Sequence, residues 1–274
     1  MSNFARIFFY ALFGGALIVI KPASVVAQEQ FEHPDRTALV VNEIVVKNQM
    51  NGGDRDVAFL ALIKMMVGHL VAADLAIERG DLAEASQHLT HSVAKDYPEI
   101  VSRLEQKLED PSAARDGIMG ALQRGAVEET RTEIYDAIVE IEGLQYAIDS
   151  KKMVMDGILA DTAILLLRAA VTKYDKSFKA NKTVEYYEGS AFVTEATTLI
   201  QDAEYEWKTR DPAAFKRLEL TLEELQTAWP GEIPTDDSLI PSATMLELVT
   251  TIEEQINDIQ NRDALKSKAK AVNF

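Results

Sequence analysis

Apolar residues recur at helical spacing from Asp54 to about Lys270, interrupted only by short polar turns that carry glycine, proline or a capping aspartate. A pattern with this period gives each helix an apolar stripe, and these stripes must pack against one another to leave water. No convincing run of strands occurs between these limits. The sequence therefore predicts an all-α helical bundle of about eight helices.

Polar turns divide this pattern into antiparallel helical hairpins. Gly80 ends the helix predicted over 57–79, and Asp81 caps the next one. Tyr97-Pro98 begins a third helix, because proline is tolerated in a first turn. Further helices are predicted from Pro111, and over 128–149, 153–179, 185–207, 212–229 and 242–270. The 153–179 helix is apolar around much of its circumference, so we expect it to lie centrally.

The first 27 residues are typical of a cleaved signal peptide. Arg6 supplies a positive start, Ile7 to Ile20 is an uncharged apolar run, and small residues precede Gln28. The run is shorter than the roughly 20 residues that a membrane-spanning helix needs. We expect cleavage after Ala27 and export to a bacterial periplasm, with an uncleaved anchor as the alternative.

Three segments are predicted in all. The signal peptide covers 1–27, a polar leader covers 28–53, and a helical bundle domain covers 54–274. A division of the bundle into two halves, 54–150 and 151–274, is the alternative to a single unit, because each half contains a helical hairpin of similar length. No membrane span is expected once the signal peptide is removed.

Charge and cysteine content exclude several kinds of function. The formal charge is -16, and loss of Arg6 and Lys21 with the signal peptide makes it -18, since no acidic residue lies in 1–27. A field this negative repels nucleic acid and anionic lipid. The chain has no cysteine, which excludes disulfides, thiolate zinc sites and iron–sulfur clusters.

Three of the four histidines lie within the helical hairpin around Gly80 and Asp81. In an antiparallel hairpin centred there, His69 is level with a position next to His91, and His88 lies about one turn nearer the turn. His88 and His91 are three residues apart, so they share a helix face. We therefore predict that these three imidazoles converge.

Converging imidazoles would form a metal site, with iron, copper or zinc as the candidate ion. Four nearby residues are candidates to complete its coordination: Asp74, Glu84, Met65 and Met66. The alternative is that His69 is a half-buried polar residue, while His88 and His91 lie on a solvated face. A level match alone does not decide between these, because it does not fix the rotation of the first helix.

Catalytic motifs are missing from the sequence. It contains no Gly-x-Ser-x-Gly elbow, no His-Glu-x-x-His zinc helix, no phosphate-binding glycine loop and no dinucleotide fingerprint. We therefore expect a protein that is not an enzyme.

Two stretches resemble a known family: GHLVAADLAIERGDLAEASQHLTHSVAKDYPEI (68–100) and LLLRAAVTKYDKSFKANKTVEYYEGSAFVTEATTLI (165–200). They are similar to the helical extracytoplasmic domains associated with bacterial high-affinity iron permeases, and more distantly to imelysin-like iron-uptake lipoproteins. The resemblance implies an all-helical periplasmic domain that serves metal acquisition, with His69, His88 and His91 at the positions of the family's Gly-His-Leu helix and histidine turn.

The sequence also departs from these families. It lacks the His-x-x-Glu pair of imelysin-like proteins, has Ser92 where proline is more typical, and has no Arg-Glu-x-x-Glu motif of the permease itself. The leading hypothesis is a periplasmic metal-binding accessory protein of iron or copper acquisition, whose partner is a membrane metal permease or another periplasmic protein. The alternative is an interaction scaffold of tetratricopeptide-like hairpins without a metal site, although such arrays normally need at least three repeats.

Overall fold

The computed structural model describes residues 52–104, 112–147, 152–180, 183–231 and 240–272. All of these residues lie in one compact unit, Asp35–Phe274, and they contain helices and turns but no β-strand. The predicted all-α class is confirmed. The predicted signal peptide lies outside the described residues. So does the predicted leader, apart from Gly52 and Gly53, which already belong to the first helix.

The described residues contain ten α-helices. They are α1 (Gly52–Glu78), α2 (Leu82–His91), α3 (Tyr97–Leu104), α4 (Ser112–Arg124), α5 (Arg131–Gly143), α6 (Lys152–Ala180), α7 (Thr183–Asp202), α8 (Glu204–Arg210), α9 (Pro212–Gln226) and α10 (Ser242–Val272). A π-helical turn, Ser92–Asp96, joins α2 to α3, and short 3-10 helices, Glu128–Thr130 and Leu144–Ala147, flank α5.

Helix α1 is enclosed by its neighbours. It packs against α2, α5, α6 and α7, and the pairing of α6 with α7 is the most extensive in the described part of the chain. The segment Asp56–Glu78 is long and apolar enough to cross a membrane by length and composition alone, but 83% of its apolar window is buried inside the protein. A helix that is apolar all round is expected in a core as well as in a bilayer.

The turn between α1 and α2 forms as its residues predict. Gly80 has a φ of +78°, the left-handed conformation that glycine adopts without strain, and its N–H donates to the carbonyl of Ile77 at 2.8 Å. The Asp81 side chain then accepts a hydrogen bond of 3.0 Å from the backbone N–H of Glu84. These local contacts reverse the chain and set α2 antiparallel to α1.

Several predicted boundaries differ from the structure: the described part of the helix expected over 128–149, for example, is α5 with a 3-10 helix on either side. The break expected before Tyr97 is a π-helical turn, in which the N–H of Tyr97 donates to the carbonyl of Ser92. Pro98, which has no N–H to donate, follows directly after this turn. The helix expected over 185–207 is divided at Ala203 into α7 and α8, and Trp207 on α8 is fully buried against Phe215.

Candidate metal centre

His69 lies in the interior on the side of α1 that faces α7. The ring of Phe192 on α7 covers the preceding residue, Gly68, where a Cβ atom would lie only 2.8 Å from Phe192 Cδ1. The two helices can approach this closely because Gly68 has no side chain. His69 is 1% exposed, and its ring centroid lies 5.4 Å from that of Phe192.

The second helix of the hairpin, α2, and the π-helical turn after it supply two histidines and an aspartate. His88 and His91 lie in the last turn of α2, and Asp96 ends the π-helical turn that follows. A π-helix pairs residues five apart, so its wider winding places Asp96 beneath His91. Nε2 of His91 lies 3.8 Å from Oδ1 of Asp96.

Three side chains from the two arms of this helical hairpin converge: His69, His91 and Asp96, called the trio below. Nδ1 of His69 lies 2.7 Å from Oδ2 of Asp96, and the ring centroids of His69 and His91 are 4.3 Å apart. One ligand atom from each residue lies within 4.8 Å of the other two. The side chain of His91 is 20% exposed, so the trio is buried on one side and reaches solvent on the other.

Glu188 on α7 lies behind the trio and is 3% exposed. Its Oε1 lies 3.6 Å from Nε2 of His69 and 3.3 Å from Nδ1 of His88. Its Oε2 lies 2.5 Å from the ammonium of Lys173 on α6. Burial alone would raise the pKa of Glu188, but Lys173, His69 and His88 outweigh it and hold that pKa well below its ordinary value.

His88 is fully buried between two carboxylates. While Nδ1 faces Glu188, Nε2 lies 3.6 Å from Oε1 of Glu84. Burial lowers the pKa of His88, yet Glu188 and Glu84 outweigh the burial and raise it. Glu84 is in turn paired with the partly exposed Arg79, whose guanidinium lies 3.1 Å from Oε1 of Glu84 and 3.4 Å from the ring centroid of Tyr187.

His91 has the opposite protonation behaviour. Burial is the main cause that lowers the pKa of His91 to about 4, and the nearby charge of His69 is the second cause. Its imidazole is therefore neutral at physiological pH. A neutral imidazole offers a lone pair to a metal ion, whereas a protonated one cannot bind.

The structure brings together part of the predicted set. His69 and His91 belong to the trio, while His88 and Glu84 lie in the layer of ionisable groups around Glu188. The ligand role of His88 and Glu84 stays a prediction.

The other predicted residues lie elsewhere. Both carboxylate oxygens of Asp74 accept hydrogen bonds from Arg131, at 2.6 and 2.9 Å. Met65 and Met66 are buried in the hydrophobic core. That Asp74, Met65 and Met66 act as metal ligands stays a prediction as well.

Sequence reasoning missed Asp96, Glu188 and Lys173. Nothing local in the sequence indicates the π-helical turn that brings Asp96 close to His91. Glu188 lies 100 residues after His88 in the numbering, and only tertiary packing brings it near. One signal was present: a charged residue amid the aromatic and small residues of YYEGSAF (186–192) is unusual on a buried helix.

Two imidazoles and one carboxylate, supplied by α1, α2 and the π-helical turn, are a donor set that divalent first-row metals accept. Among the residues that the structure describes, three side chains form this set, so further positions would remain for water or another donor. Oε1 of Glu188 lies 3.6 Å from Nε2 of His69, on the side of the ring where metal-bound histidines usually donate an outer hydrogen bond.

Residues 162–263, which span most of α6 and α10 and all of α7, α8 and α9, match the iron permease-associated 4-helix bundle domain. No curated protein and no solved structure matches the chain. The match covers the second of the two stretches quoted for the resemblance, 165–200, and does not extend to the histidine hairpin. It does include Lys173 and Glu188. Residues 162–263 thus match a helical bundle domain associated with iron permeases, which confirms the resemblance seen in the sequence.

Proposed function

We propose that the protein is an exported metal-binding accessory protein of iron uptake, and that His69, His91 and Asp96 bind the ion. The observation that carries this proposal is the convergence of the trio, with its ligand atoms within 4.8 Å of one another. The neutral state of His91 at physiological pH supports it further, because metal binding there needs no loss of a proton from this ring.

The donor set favours a divalent ion of intermediate softness. Two histidines and a carboxylate with open positions are the ligands of many non-haem ferrous sites, and zinc accepts the same donors. The chain has no cysteine to favour cuprous copper. Together with the match to an iron permease-associated domain, this makes ferrous iron the proposed physiological ion.

The proposed setting is the periplasm, beside a membrane iron permease. The apolar run after Arg6 and the small residues before Gln28 support export, and the matched domain supports a permease partner. Amino-terminal sequencing of the protein purified from a periplasmic extract should begin at Gln28. Recovery of the full-length chain with the membrane fraction would contradict cleavage and support an uncleaved anchor.

Calorimetric titration of the chelator-treated protein tests the metal site. Zinc(II), copper(II) and, without oxygen, iron(II) are each added to the wild-type protein and to the variants His91→Gln and Asp96→Asn. Loss of a direct ligand should weaken binding by more than the roughly 10- to 100-fold that follows loss of an outer-shell partner. The variant His33→Gln is the control, since it removes the one histidine that lies outside the hairpin.

The outcomes separate the two hypotheses. Tight binding that is lost in both variants and retained in the control supports the proposal. Weak binding that is equal in all four proteins contradicts it and leaves the interaction scaffold as the better hypothesis.

A further inference from the structure

His69 presents its two ring nitrogens to two different carboxylates. Nδ1 faces Asp96 at 2.7 Å, and Nε2 faces Oε1 of Glu188 at 3.6 Å. Among the described residues, Nε2 is buried and makes no hydrogen bond. A neutral imidazole carries its hydrogen on one nitrogen only, so the partner of Nε2 decides whether Nδ1 is free to bind a metal.

We propose that Glu188 is a positioning residue of the metal centre: it accepts the Nε2–H of His69 and thereby directs the Nδ1 lone pair toward the ion. The inference rests on the proposed metal-binding function. Binding of an ion at Nδ1 would require the other tautomer of the neutral ring: the hydrogen that Nδ1 now shares with Asp96 would pass to water, and Nε2 would take up a proton from water, so the ring keeps one hydrogen. The 3.6 Å separation then shortens to a hydrogen bond with Glu188.

The surroundings of Glu188 suit this role. A buried carboxylate must be partnered, and Lys173 at its Oε2 provides the compensating charge while leaving Oε1 directed at His69 and His88. Outer-shell carboxylates of this kind fix the tautomer of a metal-bound histidine and raise its basicity.

The arrangement joins two parts of the chain. The trio comes from the histidine hairpin, whereas Glu188 and Lys173 lie within residues 162–263, the segment that matches the iron permease-associated domain. Metal binding would therefore strengthen a contact between that domain and the hairpin.

A matched pair of variants separates the proposed effect of Glu188 on His69 from the general effect of removing a buried carboxylate charge. Glu195 lies seven residues after Glu188 on the same helix, is also buried, and pairs with a buried lysine, Lys64, at 3.1 Å. Glu188→Gln and Glu195→Gln therefore each remove one buried carboxylate charge next to a lysine. Only the first of these carboxylates contacts His69.

Zinc(II) affinity is the first measurement. We expect Glu188→Gln to bind zinc about 10- to 100-fold more weakly than the wild type, as for other outer-shell partners. Glu195→Gln should bind like the wild type. Equal affinities of Glu188→Gln and wild type would overturn the inference while leaving the metal site intact. Absence of zinc binding by the wild type itself would overturn the proposed function and this inference together.

Nitrogen NMR of the histidine rings is the second measurement, and its test of the tautomer uses the wild-type protein alone. In the zinc-loaded wild type, His69 should show metal-bound Nδ1 and a protonated Nε2 whose hydrogen exchanges slowly. In Glu188→Gln that hydrogen should exchange faster. The opposite tautomer, with Nε2 bound to zinc and Nδ1 protonated, would refute the proposed role of Glu188.

Discussion

The ring of Phe192 lies directly over Gly68, at a distance where a Cβ atom on the glycine would overlap Cδ1 of the ring. Phe192 is fully buried and also contacts the ring of His69, so it has little room to move away. The spacing of α1 and α7, and with it the approach of His69 to Glu188, depends on this contact.

We therefore expect Gly68→Ala to destabilise the fold. Alanine would gain about 1 kcal/mol from its higher helix propensity, but overpacking against a buried ring costs typically about 1–3 kcal/mol. The net loss should be about 1 kcal/mol in the free energy of unfolding, measured by urea denaturation. Gly157→Ala is the control, because Gly157 lies within α6 and no atom lies within 4 Å of a Cβ there. That variant should be slightly stabilised, and a stabilised Gly68→Ala would show that Phe192 can move aside.

Lys64 gives a second test of the core. Its ammonium is 2% exposed and lies 2.9 Å from Glu142 and 3.1 Å from Glu195. Burial lowers the pKa of Lys64, but the two carboxylates outweigh it and raise that pKa above 10.5, so the stabilisation persists below this pH and is lost above it. Lys64→Met should cost about 3 kcal/mol at neutral pH, because it removes the buried cation that faces Glu142 and the buried Glu195.

Two further variants check the cause of that loss. Adding Glu195→Gln to Lys64→Met should restore part of the stability, since the buried side chain at position 195 is then uncharged. Lys208→Met removes an exposed lysine that also pairs with two glutamates, Glu204 and Glu219, and it should leave the unfolding transition almost unchanged. Equal losses from Lys64→Met and Lys208→Met would contradict the assignment.

The hairpin could be predicted from the sequence because its signals are local. Gly80 and Asp81 determine the reversal by backbone conformation and capping, and a reversal there puts His69 level with His91 whatever surrounds them. Their ring centroids lie 4.3 Å apart.

The rotation of α1 and the acidic side of the site could not be predicted in this way. The rotation follows from the packing of Gly68 on Phe192, two residues far apart in the sequence. Asp96 depends on a π-helical turn, and apolar periodicity alone does not reveal one. Glu188 reaches the histidines only because α7 packs on α1.

Asp74→Asn tests one of the predicted ligands directly. The two oxygens of Asp74 form a bidentate pair with Arg131, so the substitution should lower the free energy of unfolding by about 1 kcal/mol and leave zinc affinity unchanged. Asp96→Asn should instead weaken zinc binding. Calorimetric titration measures both affinities. A fall in zinc affinity for Asp74→Asn would instead support Asp74 as a ligand.

Protonation of His91 should couple stability to pH. The pKa of His91 falls from 6.5 to about 4 on folding, because burial and the charge of His69 disfavour the imidazolium. As the pH falls from 6.5 to 4, the unfolded chain takes up a proton at this position that the folded chain does not, so the folded state loses stability. At about 1.4 kcal/mol per pKa unit, the loss from this group approaches about 3 kcal/mol.

His91→Gln removes this contribution while leaving the other titrating groups in place. Urea denaturation of the metal-free wild type and of the variant across the window from pH 6.5 to pH 4 should therefore show the wild type losing stability faster as the pH falls. The variant His33→Gln should follow the wild type. Parallel curves of unfolding free energy against pH for the wild type and His91→Gln would contradict this prediction. They would mean that His91 takes up a proton in the folded protein as readily as in the unfolded chain, so its ring would not stay neutral for metal binding over this pH range.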